Sequence, residues 1–323
     1  MTTEPTVLVA GDTLVDFVPR NPGPPGDAGG YEPSFGGSGG NAAMALDRLG
    51  VPPLCWTGLA ADGLGEFLRA HFEASDIPSD LLVTDETART TVALVNHDAD
   101  RGPSYVFYRE RGADTRLQQG TVSDDTLDSV SWVHTTGVTM SVEPSRSATL
   151  ELQSRASDRC TVSLDPNWRP DMWHSSHEFR AVIRGALPDI DVVTATPEEL
   201  AVAGFEAEEP GELARAVADE GPHTVVLTLG DVGAFCYGTD DSPVTGQVHH
   251  GGYDIDPVDA TGAGDAFLAA FIAALTHGVQ DPNRALALAN AAGAVTTTQA
   301  GAVTALTGPD ALREFHDDIP WLS

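Results

Sequence analysis

Short apolar runs separated by helical patterns constrain this chain more than any other feature. Thr6 to Ala10, Leu54 to Gly58, Ser131 to His134, Thr161 to Leu164, Asp191 to Ala195 and Thr224 to Leu229 each read as a strand. Asn41 to Gly50 is a run of small residues with helical spacing, ended by glycine. Gly211 to Glu220 and Pro282 to Thr296 are helical in pattern as well. Strands separated by helices predict an α/β fold with a mainly parallel sheet covered on both faces.

Two segments break the rhythm. Pro19 to Ser34 is rich in Pro and Gly and has no helical period. Thr90 to Arg109 alternates in the β manner around a turn at Asp98 to Pro103. Both read as strands and loops outside the main sheet, suited to a small flap over a site at its carboxyl edge. A disordered loop is the other reading of Pro19 to Ser34. No internal repeat or interdomain linker divides the 323 residues, so residues 1–323 read as one domain.

Asp259-Ala260-Thr261-Gly262-Ala263-Gly264-Asp265 runs directly into the apolar stretch Ala266 to Leu275. This places small residues and a carboxylate in the first turn of a helix, where backbone N–H groups lack partners and the dipole is positive. Such a turn holds anions, phosphate above all. A carboxylate competes for the same field, unless it takes a proton from a hydroxyl while the N–H groups stabilise a transferring group. The plain alternative is a glycine-rich turn with Asp265 as a helix cap.

Composition removes several chemistries. Acidic residues number 48 against 17 basic ones, a net charge of -31, and every basic residue is Arg. That charge strains a folded state in dilute buffer, whereas molar salt shortens the Debye length to about 3 Å. The pattern reads as salt adaptation and predicts a cytoplasmic protein of a high-salt organism. Such a surface repels nucleic acid and anionic membranes. Without Lys there is neither a Walker-type nor a Schiff-base lysine. Any nucleotide phosphate must therefore be held by backbone N–H groups, Arg and metal. Cys55, Cys160 and Cys236 have neither zinc nor redox spacing and read as buried structural thiols. The acidic N-terminus lacks the features of a signal peptide, and no apolar stretch is long enough for a membrane span.

Other clusters carry weaker signals. Gly11 to Asp16 follows the first strand, so Asp16 is placed to accept hydrogen bonds from a polyol; its plain reading is a surface carboxylate. Phe35 to Asn41 leads into a helix without the strand a dinucleotide fingerprint needs, and could line a small polar pocket. Tyr108-Arg109 and Asp165 to Pro170, which contains Trp168-Arg169, each offer an Arg beside an aromatic residue. Either Arg suits phosphate or polar substrate groups, or an ordinary ion pair.

These runs together resemble the ribokinase (PfkB) family of carbohydrate kinases over nearly the whole chain. The resemblance rests on Gly36 to Asn41, Gly58 to Gly65, Thr228-Leu229-Gly230 and above all Asp259 to Asp265. It implies a ribokinase-like three-layer α/β/α sandwich with a small β lid, near 13–36 and 88–112. Asp265 then matches the catalytic base, and Gly262, Ala263 and Gly264 the anion hole. Asp16, Gly37 and Asn41 match sugar-binding positions, with Arg109 and Arg169 beside the substrate. Thr228 and Gly230 match nucleotide contacts, and Asn290 the surroundings of the adenine. Glu199 keeps the carboxylate of an Asn-x-x-Glu motif that supports metal, with Thr196 in place of Asn. The implied cofactors are ATP and Mg²⁺, with K⁺ as an activator in many members. A homodimer through the lid is an arrangement some members adopt.

Asp12 to Pro19, Phe107 to Arg109, Ala113-Asp114 and Asp165 to Trp173 look most like fructokinase segments. The 2-keto-3-deoxygluconate kinases share several of them but commonly carry Tyr where Phe107 stands, so Phe107 points to a neutral ketose. Ribokinase and nucleoside kinase match less well around Arg109 and Arg169. Two readings of other classes are a sugar or nucleotide sensor without catalysis and a dinucleotide-dependent oxidoreductase. The second lacks a strand-linked Gly-x-Gly-x-x-Gly.

Overall fold

Val7 and Val9 of the first strand point into one apolar layer, and Leu8 and Ala10 point into another. All four are fully buried. A strand covered on both faces reads as a continuous apolar run, and this is why the strands were legible. The structure is a computed structural model and describes residues 6–21, 23, 25–98, 102–299, 301–302, 308–316 and 319–322. Along these residues the strands are β1 (Val7–Ala10), β2 (Leu14–Pro19), β3 (Tyr31–Gly36), β4 (Leu54–Ala60), β5 (Leu82–Asp85), β6 (Val92–Asp98), β7 (Gly102–Tyr108), β8 (Trp132–Thr136), β9 (Thr161–Asp165), β10 (Val192–Ala195), β11 (Thr224–Thr228), β12 (Ala234–Gly238) and β13 (Gly246–His250). The helices are α1 (Ser38–Arg48), α2 (Gly63–Glu73), α3 (Asp124–Ser129), α4 (Ser145–Ala156), α5 (Ser176–Ala186), α6 (Pro197–Val202), α7 (Pro210–Ala218), α8 (Ala263–Thr276) and α9 (Pro282–Thr296).

Nine strands form the central sheet in the order β13-β12-β11-β10-β9-β8-β1-β4-β5. It is parallel from β11 to β5, and β12 and β13 turn back antiparallel at one edge. Helices α1, α2, α8 and α9 cover one face, and α3 to α7 the other. This is the three-layer α/β/α sandwich that the resemblance implies. Helix α8 is buried without a break from Ala266 to Ala274. Its alanines allow the close approach of α9, another Ala-rich helix. No helix among the described residues is long and apolar enough to cross a membrane.

The off-rhythm segments form a second sheet, ordered β3-β2-β6-β7. Pairing within it is antiparallel, except that β2 runs parallel to β6. The β6–β7 turn lies partly outside the described residues. The segment 19–34 ends in β3, and a short 3₁₀ turn at Pro25–Asp27 precedes it. Of the three cysteines expected to be buried, Cys55 and Cys236 are, but Cys160 is only half-buried. It follows α4 at the start of a strand, where its thiol faces the Ala156 carbonyl at 3.7 Å.

Strand β1 lies between β8 and β4, so the chain leaves it in both directions across the sheet. Such a reversal opens a crevice outside the carboxyl ends of the strands, where ligands bind in open α/β sheets.

Candidate active site

That crevice holds a small polar cleft of about 80 Å³. Asp12 enters it from the loop after β1, Asp16 from within β2, and Gly37, Ser38 and Asn41 from the start of α1. Tyr105 and Phe107 come down from lid strand β7, Arg169 from the loop after β9, and Thr261, Gly262 and Asp265 from the start of α8.

Asp265 does not cap its own helix. Gly262 occupies the cap position with φ 75° and no side-chain cap bond. A Cβ at Gly262 would lie 2.1 Å from the Ala302 carbonyl oxygen, so glycine is required there for space as well as for φ. The Asp265 carboxylate instead accepts hydrogen bonds from Ser38 Oγ (2.7 Å) and Asn41 Nδ2 (3.0 Å), both in the first turn of α1. Burial pushes Asp265 up to about 6, against the lowering by those two donors and by Arg169. A base with this pKa is matched to proton transfer near neutrality. Asn41 Oδ1 is buried with no hydrogen-bond partner among the described residues, an acceptor ready for a ligand hydroxyl.

Asp12 stands beneath the first turn of α1. It accepts from the N–H groups of Ser38 (3.2 Å) and Gly39 (3.4 Å) and from Thr136 Oγ1 (3.2 Å). The turn must come this close: a Cβ at Gly39 would lie 2.4 Å from the Gly11 Cα. Asp16, nearly buried, is pushed up to about 7 by burial and then by the charges of Asp12 and Asp265. The cleft thus carries three carboxylates, with Arg169 as the cation on its lining.

Arg109, expected beside the substrate, does not line the cleft. Its Nε pairs with Asp114 (2.7 Å), and the guanidinium also donates to Ser141 Oγ (2.6 Å) and the Val138 carbonyl (3.0 Å). The pair is nearly dry, with side chains 9% and 0% exposed. The ordinary ion-pair reading describes Arg109, which braces the loop after β8 from behind. Sequence reasoning assigned no role to Asp12, Ser38, Tyr105 or Thr261. Asp12, Ser38 and Thr261 lie inside strings already noted. Tyr105 shares the face of Phe107 at a spacing of two, a signal the alternation already contained.

Thr228, Gly230 and Asn290 gather elsewhere, at the carboxyl end of β11. Thr228 closes the strand opposite Ala234. Gly230 opens a 3₁₀ turn at φ 67° with empty space where a Cβ would be. Asn290 Nδ2 contacts His250 Nδ1 at 3.1 Å, and His250 pairs with Ala234.

Glu199 begins α6 with both oxygens engaged. Oε1 accepts the Trp168 N–H and Oε2 the Thr196 N–H, each at 3.0 Å. Thr196 returns the bond through its hydroxyl, completing a capping box. Thr therefore serves this cap in place of Asn. Burial and the neighbouring Glu199 raise Asp165 well above the carboxylate range. A divalent cation would relieve that repulsion. No cluster of three or more Asp, Glu, His or Cys able to hold a metal occurs among the described residues. The donor set therefore fits Mg²⁺ only as phosphates complete its shell.

The chain is similar to known proteins over nearly its whole length. The model of the pfkB family carbohydrate kinases matches residues 4–308. Probable fructokinase-4 of Arabidopsis thaliana is 31% identical over 312 residues, 94% of this chain and 94% of its own. The fructokinase of Vibrio alginolyticus is 30% identical over 320 residues, 96% of this chain and 98% of its own. The structure of Vibrio cholerae fructokinase in its fructose, ADP and calcium ion bound form superposes with a TM-score of 0.83 at 30% identity, covering 96% of this chain and 98% of that one. From the mostly parallel sheet, its lid and these matches together, the chain belongs to the pfkB family of carbohydrate kinases.

Proposed function

We propose that this protein is an ATP-dependent fructokinase. The observation that carries the proposal is Asp265: a carboxylate at the mouth of α8, held by two donors and pushed up to about 6, facing a polar cleft under a lid. In this reading a fructose hydroxyl gives its proton to Asp265 as its oxygen attacks the γ-phosphorus. The bridging P–O bond breaks and ADP leaves. Gly262, Ala263 and Gly264 form the anion hole for the transferring oxygens. Gly264 N–H has no acceptor among the described residues, and Ala263 N–H makes only a 3.2 Å bond to the Ala260 carbonyl. Asp16, Gly37, Asn41 and Arg169 hold the sugar. Thr228, Gly230 and Asn290 hold the nucleotide. Asp165 and Glu199 would hold Mg²⁺, which neutralises phosphate charge when bound. Fructose and ADP in the Vibrio cholerae relative support both ligands.

The charge of the cleft supports a neutral sugar over a keto acid. Three carboxylates face the ligand, and Arg109 is committed to Asp114. An ADP-release assay with ATP and Mg²⁺ in molar KCl, across fructose, 2-keto-3-deoxygluconate, ribose and adenosine, tests it. Fructose should exceed the others in kcat/KM by at least roughly 100-fold, within the roughly 10⁴- to 10⁵-fold that unpaired polar groups can supply. Faster turnover of the keto acid would contradict the neutral-sugar assignment.

A pH profile follows from the same carboxylates. Asp265 must be ionised to accept the proton, so kcat should fall as pH drops through about 6 and level off above about 7. The cleft carboxylates titrate as a coupled set, which broadens the limb. A kcat unchanged from pH 8 to pH 4.5 would exclude Asp265 as the base.

A further inference from the structure

The lid touches the phosphate-facing turn at one point that the reading above does not use. Strand β7 turns Tyr105 and Phe107 into the cleft, their rings stacked with centroids 6.0 Å apart, and leaves Val106 and Tyr108 exposed. The Tyr105 hydroxyl lies 3.2 Å from Thr261 Oγ1 across the cleft mouth. The direction of this bond is fixed by what holds Thr261. Its hydroxyl donates to Asp259 Oδ1 at 2.7 Å, because a carboxylate only accepts. A hydroxyl has one proton, so Tyr105 must be the donor to Thr261. The relay continues inward: Asp259 Oδ1 also accepts the Thr261 N–H (2.9 Å), and Oδ2 accepts the Gly301 N–H (3.0 Å). Thr261 directly precedes Gly262, whose left-handed backbone sets the first turn of α8.

We propose that Tyr105 is a positioning residue, a latch whose hydroxyl ties the closed lid to the Asp259–Gly262 turn and so fixes the N–H groups that meet the transferring phosphoryl. This rests on the kinase reading. The lid then does two things through one bond: it shuts water out of the cleft and aligns the turn only when closed. Because the phenol is spent on Thr261, it is also not offered to a substrate carboxylate. Chained hydroxyl bonds of this kind reinforce one another.

Tyr105→Phe keeps the ring and its stacking and removes only the donor. The loss of one such bond predicts a kcat lower by roughly 3- to 10-fold, with the KM for ATP unchanged. It also predicts ADP released in excess of sugar phosphate formed, as water enters an unlatched cleft. Thr261→Val should match this, Thr261→Ser should restore kcat and coupling, and the double variant Tyr105→Phe/Thr261→Val should be no worse than either single one. Hydrogen exchange on the protein without substrate gives a readout independent of catalysis. Amides of β7 and of the 259–262 turn should exchange faster in Tyr105→Phe. Unchanged exchange, or wild-type kcat and coupling, overturns the latch. Wild-type protein that makes no sugar phosphate overturns the kinase reading instead, and exchange then decides the latch alone.

Discussion

Asp265→Asn should lower kcat by roughly 10²- to 10⁴-fold, the contribution of a positioned general base, while leaving the fold intact and more stable at neutral pH. Asn fits the space because Asn41 Oδ1 has no partner among the described residues: rotating that amide lets it accept from the new side chain, and Ser38 still has an oxygen to donate to. The stability gain has a definite sign. The folded-state pKa of Asp265 is raised to about 6 from an ordinary 3.8, so the ionised form is disfavoured by folding. The wild type accordingly loses stability as pH rises from about 4 through 6, and stays lower above that. The Asn variant escapes this cost. Its melting temperature should exceed that of the wild type at pH 8, and the difference should vanish near pH 4. Calorimetry at the two pH values checks this, and steady-state kinetics the rate. A variant that keeps more than a tenth of wild-type kcat would show that the proton goes elsewhere.

Removing salt should be nearly as damaging. The chain carries 48 carboxylates against 17 guanidinium groups. Many of the arginines are already paired: Arg155 and Arg159 with Asp124 and Asp128 on α3, and Arg116 with Asp85. The remaining carboxylates repel one another over a Debye length of roughly 30 Å at 0.01 M salt but about 3 Å at 1 M. Between those limits the melting temperature should rise by roughly 4 °C or more, the shift that ~3 kcal/mol produces in a chain of this size. Activity should follow the same curve. Sucrose at equal osmolarity should not replace KCl, because it screens nothing. Equal melting temperatures at both salt levels would remove the salt-adaptation reading.

How much of this was legible depends on where each residue's partners lie. The buried parallel strands announced themselves because both of their faces are covered, so Val7 to Ala10 contains no polar residue. Edge strand β13 and its neighbour β12 were not read as strands. Gln247, His249 and His250 meet solvent on at least one side, and the pair carries Gly at Gly238 and Gly246. Asp265, Gly262 and Asn41 were legible because the first turn of a helix has its own physics, which a local run of sequence can encode. Arg109 was misplaced because its partner Asp114, five residues on, shares only the chemistry of charge with a substrate. Nothing in the local sequence says which of the two the guanidinium meets. Tyr105 was missed because its meaning is wholly tertiary: 156 residues separate it from Thr261.

The most direct test of the account is ³¹P NMR of the wild-type protein with ATP, Mg²⁺ and fructose in molar KCl at pH 8. The account predicts that the γ-phosphate signal decays into a phosphomonoester coupled to a sugar methylene or methine proton, matched by ADP one for one. Persistence of ATP, or its conversion to ADP and inorganic phosphate alone, would contradict phosphoryl transfer to fructose in the cleft.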